Sequence, residues 1–177
     1  VTGEPATTPT EADTRPNVAR MYDYFLAGCH NFAADRAAAE RILEIFPDTR
    51  AAAQTNRAFL RRAVRYVAEQ GVRQFLDIGA GLPTQGNVHE VLRAVAPDSR
   101  VVYVDNDEVA VAYARRLLPT DGRTVVVQGD VRRPDELLAD PEVRRAIDFD
   151  QPVAVLLAAV LHFVPDADDY GGVGVRR

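Results

Sequence analysis

The chain has 177 residues, 47% of them apolar and 27% charged, with a net charge of −5. These values suit one globular domain with a real core. They speak against duplex nucleic acid as the main partner, because the arginines lie scattered among acids and form no basic stripe.

All 21 basic residues are arginine, which reads as genomic composition and carries no function. The first fourteen residues, VTGEPATTPTEADT, have no basic start and no apolar segment, so they read as a disordered tail rather than a signal peptide. Pro16–Ala27 reads as a helix with Val18, Met21, Tyr22 and Phe25 on one apolar face and Gly28 just past its end. Cys29 stands alone, which excludes a disulfide framework and a cysteine metal site and fits a reducing cytoplasm. Asp35–Phe46 is a second helix, stopped by Pro47. Thr49–Gln70 is a third, with an expected apolar stripe of Ala52, Phe59, Ala63, Tyr66 and Val67, ended by Gly71. Residues 15–71 thus form a helical section, expected to fold as a lid over the rest of the chain.

From residue 72 short apolar strands alternate with helices. The strands are Gln74–Ile78, Arg100–Val104, Thr124–Gln128 and Val153–Leu157. The helices are Asn87–Val95, Asp107–Leu118, Pro134–Ala139 and Glu142–Ile147. Continuous apolar strands alternating with helices mean an α/β fold with a parallel sheet covered on both faces. The longest apolar run, Val153 to Val160, is too short to span a membrane.

Ligands of such sheets sit beyond the carboxyl ends of the strands. There the first strand ends in RQFLDIGAGLPTQGN, with Asp77 followed by Gly79 and Gly81. One glycine allows a tight turn with unusual φ, and a second lets a ligand approach bare backbone. Asp105 ends the second strand, 26 residues after Gly79, where an acid can accept both hydroxyls of a ribose. Asp130, after the third strand, is placed to accept from an adenine amino group. A lone acid at a strand end is more often a helix cap, but three in series are harder to explain that way. A dinucleotide needs G-x-G-x-x-G, and the third position here is Thr84. Asp77 would repel a pyrophosphate, and Pro83 removes a donor that an anion needs. Asp77 suits instead the amino group and sulfonium of S-adenosyl-methionine.

Four stretches, RPNVARMYDYFLAGCHNFAADR, FLDIGAGLPTQGNVHE, VVYVDND and LLAAVLHFVPD, resemble the bacterial S-adenosyl-methionine-dependent methyltransferases once catalogued only as a domain of unknown function. The resemblance runs from about Arg15 to Asp169. It implies a Rossmann-like class I methyltransferase sheet with N-terminal helical additions. By position, it implies that Asp77, Gly79, Ala80 and Gly81 hold the methionine part and that Asp105 takes the ribose. Asn106, Asp130 and Val131 then border the adenine, and Ala158 joins the cofactor-binding set. Tyr22, with Tyr24 and Phe25, could form a lid over the cofactor, but aromatics at this spacing are more often core, so a mixed role is expected for Tyr22. The family usually has a second glycine where this chain has Ala27.

His162, after the fourth strand, is the candidate general base, although a partly buried structural histidine is the favoured reading. His30 and Asn31 border a substrate pocket or form a turn, and His89 reads as a helix-surface residue. No two histidines have ligand spacing, so no metal is expected. Nucleic acid and membrane are not expected as partners; a small-molecule acceptor is. After LHFVPDADD the resemblance fades into YGGVGVRR. A class I methyltransferase sheet has seven strands and this chain has four, in the expected order 3-2-1-4. A C-terminally truncated product is therefore expected. Its fourth strand would be an open apolar edge prone to self-association, and it would have little turnover. The alternatives are an inactive cofactor-binding remnant and an NAD-dependent oxidoreductase.

Overall fold

The computed structural model describes residues 14–84, 86–119 and 121–165. The tail expected at residues 1–14, Thr14 apart, and the YGGVGVRR segment lie outside them. Three helices come first: α1 (Val18–Phe25), α2 (Ala33–Ile45) and α3 (Thr49–Glu69). Then follow β1 (Gln74–Ile78), α4 (Val88–Val95), β2 (Arg100–Asp105), α5 (Glu108–Leu117), β3 (Thr124–Gln128), α6 (Pro134–Ala139), α7 (Pro141–Ala146) and β4 (Val153–Leu156). A 3-10 turn, Leu161–Phe163, closes the described chain. The strands form one parallel sheet in the order β3-β2-β1-β4. No helix among the described residues is long and apolar enough to cross a membrane.

Successive strand residues point to opposite faces, so each strand feeds two cores. On one face Phe75, Val101 and Tyr103 pack with Leu60, Val64 and Ala68 of α3 and with Val88, Val91 and Leu92 of α4. On the other, Leu76, Ile78, Val102 and Val104 pack with Leu137, Val143 and Ala146 from α6 and α7. Asp77 lies in register with Tyr103, on the face that carries α3. Proline at the first position starts both α6 and α7, where its missing N–H costs nothing.

The stripe expected on α3 is displaced. Phe59 and Tyr66 are 59% and 63% exposed, and Ala53, Leu60, Val64 and Ala68 are buried instead. Small and aliphatic residues let the helix lie close to the sheet, whereas the two aromatic rings fit only on its outer side. Val18 of α1 is likewise exposed. His89 is not on the surface. It is buried, and its backbone N–H and ring Nδ1 both meet the Tyr103 hydroxyl at 2.9 Å. Burial holds the His89 pKa below the usual imidazole range and pushes that of Tyr103 up.

Among the described residues β4 pairs only with β1. Val153 packs on the α6–α7 core and Ala154 and Leu156 on the opposite one, but Val155 and Leu157 are 53% and 40% exposed. Cover on both faces therefore holds for the centre of the sheet and fails at β4.

Candidate functional site at the carboxyl ends of the strands

The loop after β1 is tied down by its neighbour β2. The N–H groups of Gly79 and Ala80 both donate to the Val104 carbonyl, at 2.8 and 3.0 Å. The Gly81 N–H donates to Asp105 Oδ2 at 2.8 Å, and Asp105 Oδ1 accepts from the Asp107 N–H at 3.0 Å. Three consecutive donors are thus committed, and Pro83 has none to offer. At the start of α4 the Asn87 N–H donates to the Glu90 carboxylate at 2.8 Å, which puts a negative charge where a dinucleotide would rest its pyrophosphate. This loop is not an anion cradle.

Both glycines are required by the backbone, with φ of +74° at Gly79 and +63° at Gly81. The space over Gly79 is filled from within: a Cβ there would stand 2.4 Å from Val160 Cγ2. Gly81 faces the Ala19 side chain of α1.

The carboxylates differ in state. Asp77 is buried, and that burial pushes its pKa up to about 7; the Arg57 charge opposes the rise and the Asp105 charge adds to it. Asp105 is also raised by burial, while its hydrogen bonds from Asp107 and Gly81 pull the other way. Asp130 is lowered by Arg132, whose guanidinium pairs with it at 2.6 Å. Asn106 is exposed just beyond β2, and Val131 packs at the rim of the α6–α7 core. Ala158 packs on the opposite core beyond β4. His162 is not partly buried; it is exposed in the 3-10 turn, its ring 4.0 Å from that of Phe163, and among the described residues the His162 ring has no backbone hydrogen bond. Its ring is open to solvent, so it lacks the packing that a structural histidine would have.

The helical section lies over this end of the sheet. Besides the Ala19–Gly81 contact, Asn17 caps α1, accepting from the Arg20 N–H at 3.1 Å, and its amide donates to Asp107. His30 sets its ring edge against Tyr113 of α5, 6.1 Å away, and its N–H donates to Asp23 at 2.8 Å. The Asn31 amide also donates to Asp23, so His30 and Asn31 build a turn. A Cβ on Gly28 would fall 2.0 Å from Asp23 Oδ1, so the carboxylate folds into the place a side chain would take. Arg20 and Asp35, both buried, pair at 2.8 Å and bind α1 to α2.

Sequence reasoning missed Arg57. It sits in the true α3 stripe, between Ala53 and Leu60, and acts on Asp77. Its guanidinium lies 5.6 Å from the centre of the Tyr22 ring. Tyr22, expected against the cofactor, has its hydroxyl engaged by the Asn56 amide at 2.8 Å and by the Ala53 carbonyl at 3.3 Å. A correctly phased stripe would have flagged an arginine on an apolar face. A cleft of about 390 Å³, lined by Arg100, Arg144, Arg145 and Phe149 among others, opens at the amino ends of the strands and is remote from this chemistry.

A family model described as S-adenosyl methyltransferase matches residues 5–176. Two solved structures are similar. One, a protein from Thermobifida fusca assigned provisionally as a methyltransferase, has a TM-score of 0.84 and 44% identity; the match covers 90% of this chain and 61% of that one. The other, a DUF574 family protein from Streptomyces avermitilis, has a TM-score of 0.83 and 42% identity, covering 90% and 63%. The chain therefore spans about three fifths of the length of these structures. No curated protein matches it.

Proposed function

Since the chain belongs to the S-adenosyl methyltransferase family, we propose that it binds S-adenosyl-methionine across the carboxyl ends of β1, β2 and β3 and serves methyl transfer to a small-molecule acceptor. The observation that supports this most is the order of the carboxylates. Asp77, Asp105 and Asp130 end or follow three strands that are neighbours in the sheet. A ligand lying across those ends meets them as amino-acid half, ribose and adenine in turn. Gly79, Ala80 and Gly81 shape the floor under the methionine part. Asp105 takes the ribose through the lone pairs that Gly81 and Asp107 leave free. Asn106 and Val131 flank the adenine, and Asp130 takes its amino group in competition with Arg132. Ala158 leaves room beyond β4.

When bound, S-adenosyl-methionine supplies an electrophilic methyl group on a sulfonium. The chain's task is to hold donor and acceptor in line and to keep water out, and that accounts for most such acceleration. The helices over the strand ends suit the second part. His162, exposed beyond β4, stands to take the proton of a hydroxyl or amine acceptor. Binding without transfer is the second reading, favoured by the uncovered Val155 face of β4.

Calorimetry with S-adenosyl-methionine and its demethylated product tests the first reading: both should bind, and NAD should neither bind nor compete. NAD binding without S-adenosyl-methionine binding would overturn it. Transfer of labelled methyl from the cofactor separates the two readings.

A further inference from the structure

Arg57 is a half-buried cationic group to which the proposed function gives no task. Its Nε is buried with no hydrogen-bond partner among the described residues. A buried donor left unused costs free energy, and in native structures it commonly marks a missing partner. Three features aim this one at the candidate site. Arg57 comes from the α3 face that meets the sheet, its charge acts on Asp77, and its guanidinium lies over Tyr22. Tyr22 is in turn held by Asn56 and Ala53, so the ring is a fixed support for the cation. A second orphan lies on the glycine loop itself: Thr84 Oγ1 is buried and has no partner among the described residues.

We propose that Arg57 receives the carboxylate of the amino-acid half of S-adenosyl-methionine while Asp77 receives its ammonium, an inference that rests on the proposed cofactor. A zwitterion beside an aspartate and an arginine pairs each charge with its opposite, and a guanidinium fork matches a carboxylate in shape as well as charge. Tyr22 then acts as a positioning residue, through Arg57. The competing role for Arg57 is that of a counter-ion to Asp77 alone.

Titration calorimetry with two ligands decides between them. S-adenosyl-homocysteine carries the amino-acid half; methylthioadenosine keeps adenine, ribose and sulfur but lacks it. Arg57→Gln should weaken S-adenosyl-homocysteine roughly 10- to 100-fold and leave methylthioadenosine within about twofold. Arg57→Lys, which keeps the charge but not the fork, should fall between. Equal loss for both ligands, or loss for neither, overturns the role of Arg57. If Arg57→Gln melts at the working temperature by circular dichroism, Arg57→Lys carries the same test: a selective loss supports the assignment and an equal one overturns it. A native chain that binds neither ligand refutes the proposed cofactor, and this inference with it. A native chain that binds both, with S-adenosyl-homocysteine untouched by the substitutions, refutes the inference alone.

Discussion

Replacing Asp77 by asparagine should stabilise the protein at neutral pH while weakening its ligand. The side chain is buried, and its pKa rises from the ordinary 3.8 to about 7. The folded chain therefore holds a proton that the unfolded chain releases above about pH 4. Stability from this group is full below the unfolded value and is lost as pH rises toward about 7, at about 1.4 kcal/mol per pH unit. The ceiling on the loss is about 4 kcal/mol, and about 2 kcal/mol of it falls between pH 5 and pH 7. Asparagine has the same shape and no charge to bury. Urea unfolding of both proteins at pH 5, 6, 7 and 8 should show Asp77→Asn gaining on the native chain by about 2 kcal/mol between pH 5 and pH 7 and only slightly more above it. The difference between the two curves cancels the other titrating groups. Binding should run the other way. The native affinity for S-adenosyl-methionine should rise with pH up to about 7 as Asp77 ionises, and Asp77→Asn should lose about tenfold at pH 8 and show no such rise. A stability difference that is flat from pH 5 to pH 8 would refute the claim that burial holds this carboxyl up.

Gly79→Ala should cost about 2–4 kcal/mol, from a positive φ and the collision with Val160; adding Val160→Ala should recover only a part, because the Val160 Cβ itself would stand 2.6 Å away and the strain stays, as read by urea midpoints. Ala27 sits at a φ of +59°, so Ala27→Gly should stabilise the chain by about 0.5–1 kcal/mol, and a loss would show that its alanine methyl is needed for packing. If the uncovered β4 pairs with a second copy, Val155→Arg should shift the chain toward monomer in sizing chromatography; an unchanged elution position would remove β4 as the contact.

The order of strands and helices was legible because continuous β-branched runs and proline stops are local signals. β1 and β3 run between the residues expected, and β2 and β4 differ by one residue at an end. The aspartates at the strand ends were legible for the same reason, since a residue's place on a strand follows from the strand's limits. The phase of α3 was not. It has apolar residues side by side at Phe59 and Leu60, at Ala63 and Val64, and at Tyr66, Val67 and Ala68, so a 3.6-residue period fits more than one face. Contact with the sheet chose the face with smaller side chains, and only that choice turns Arg57 inward. His89 meets Tyr103 from a different element, 14 residues away, and reads as surface until α4 is set on β2. Local pattern determines which elements form. Which charge faces which carboxylate depends on how two elements far apart in the chain are packed together, and that was decided only when the α3 helix closed on the sheet.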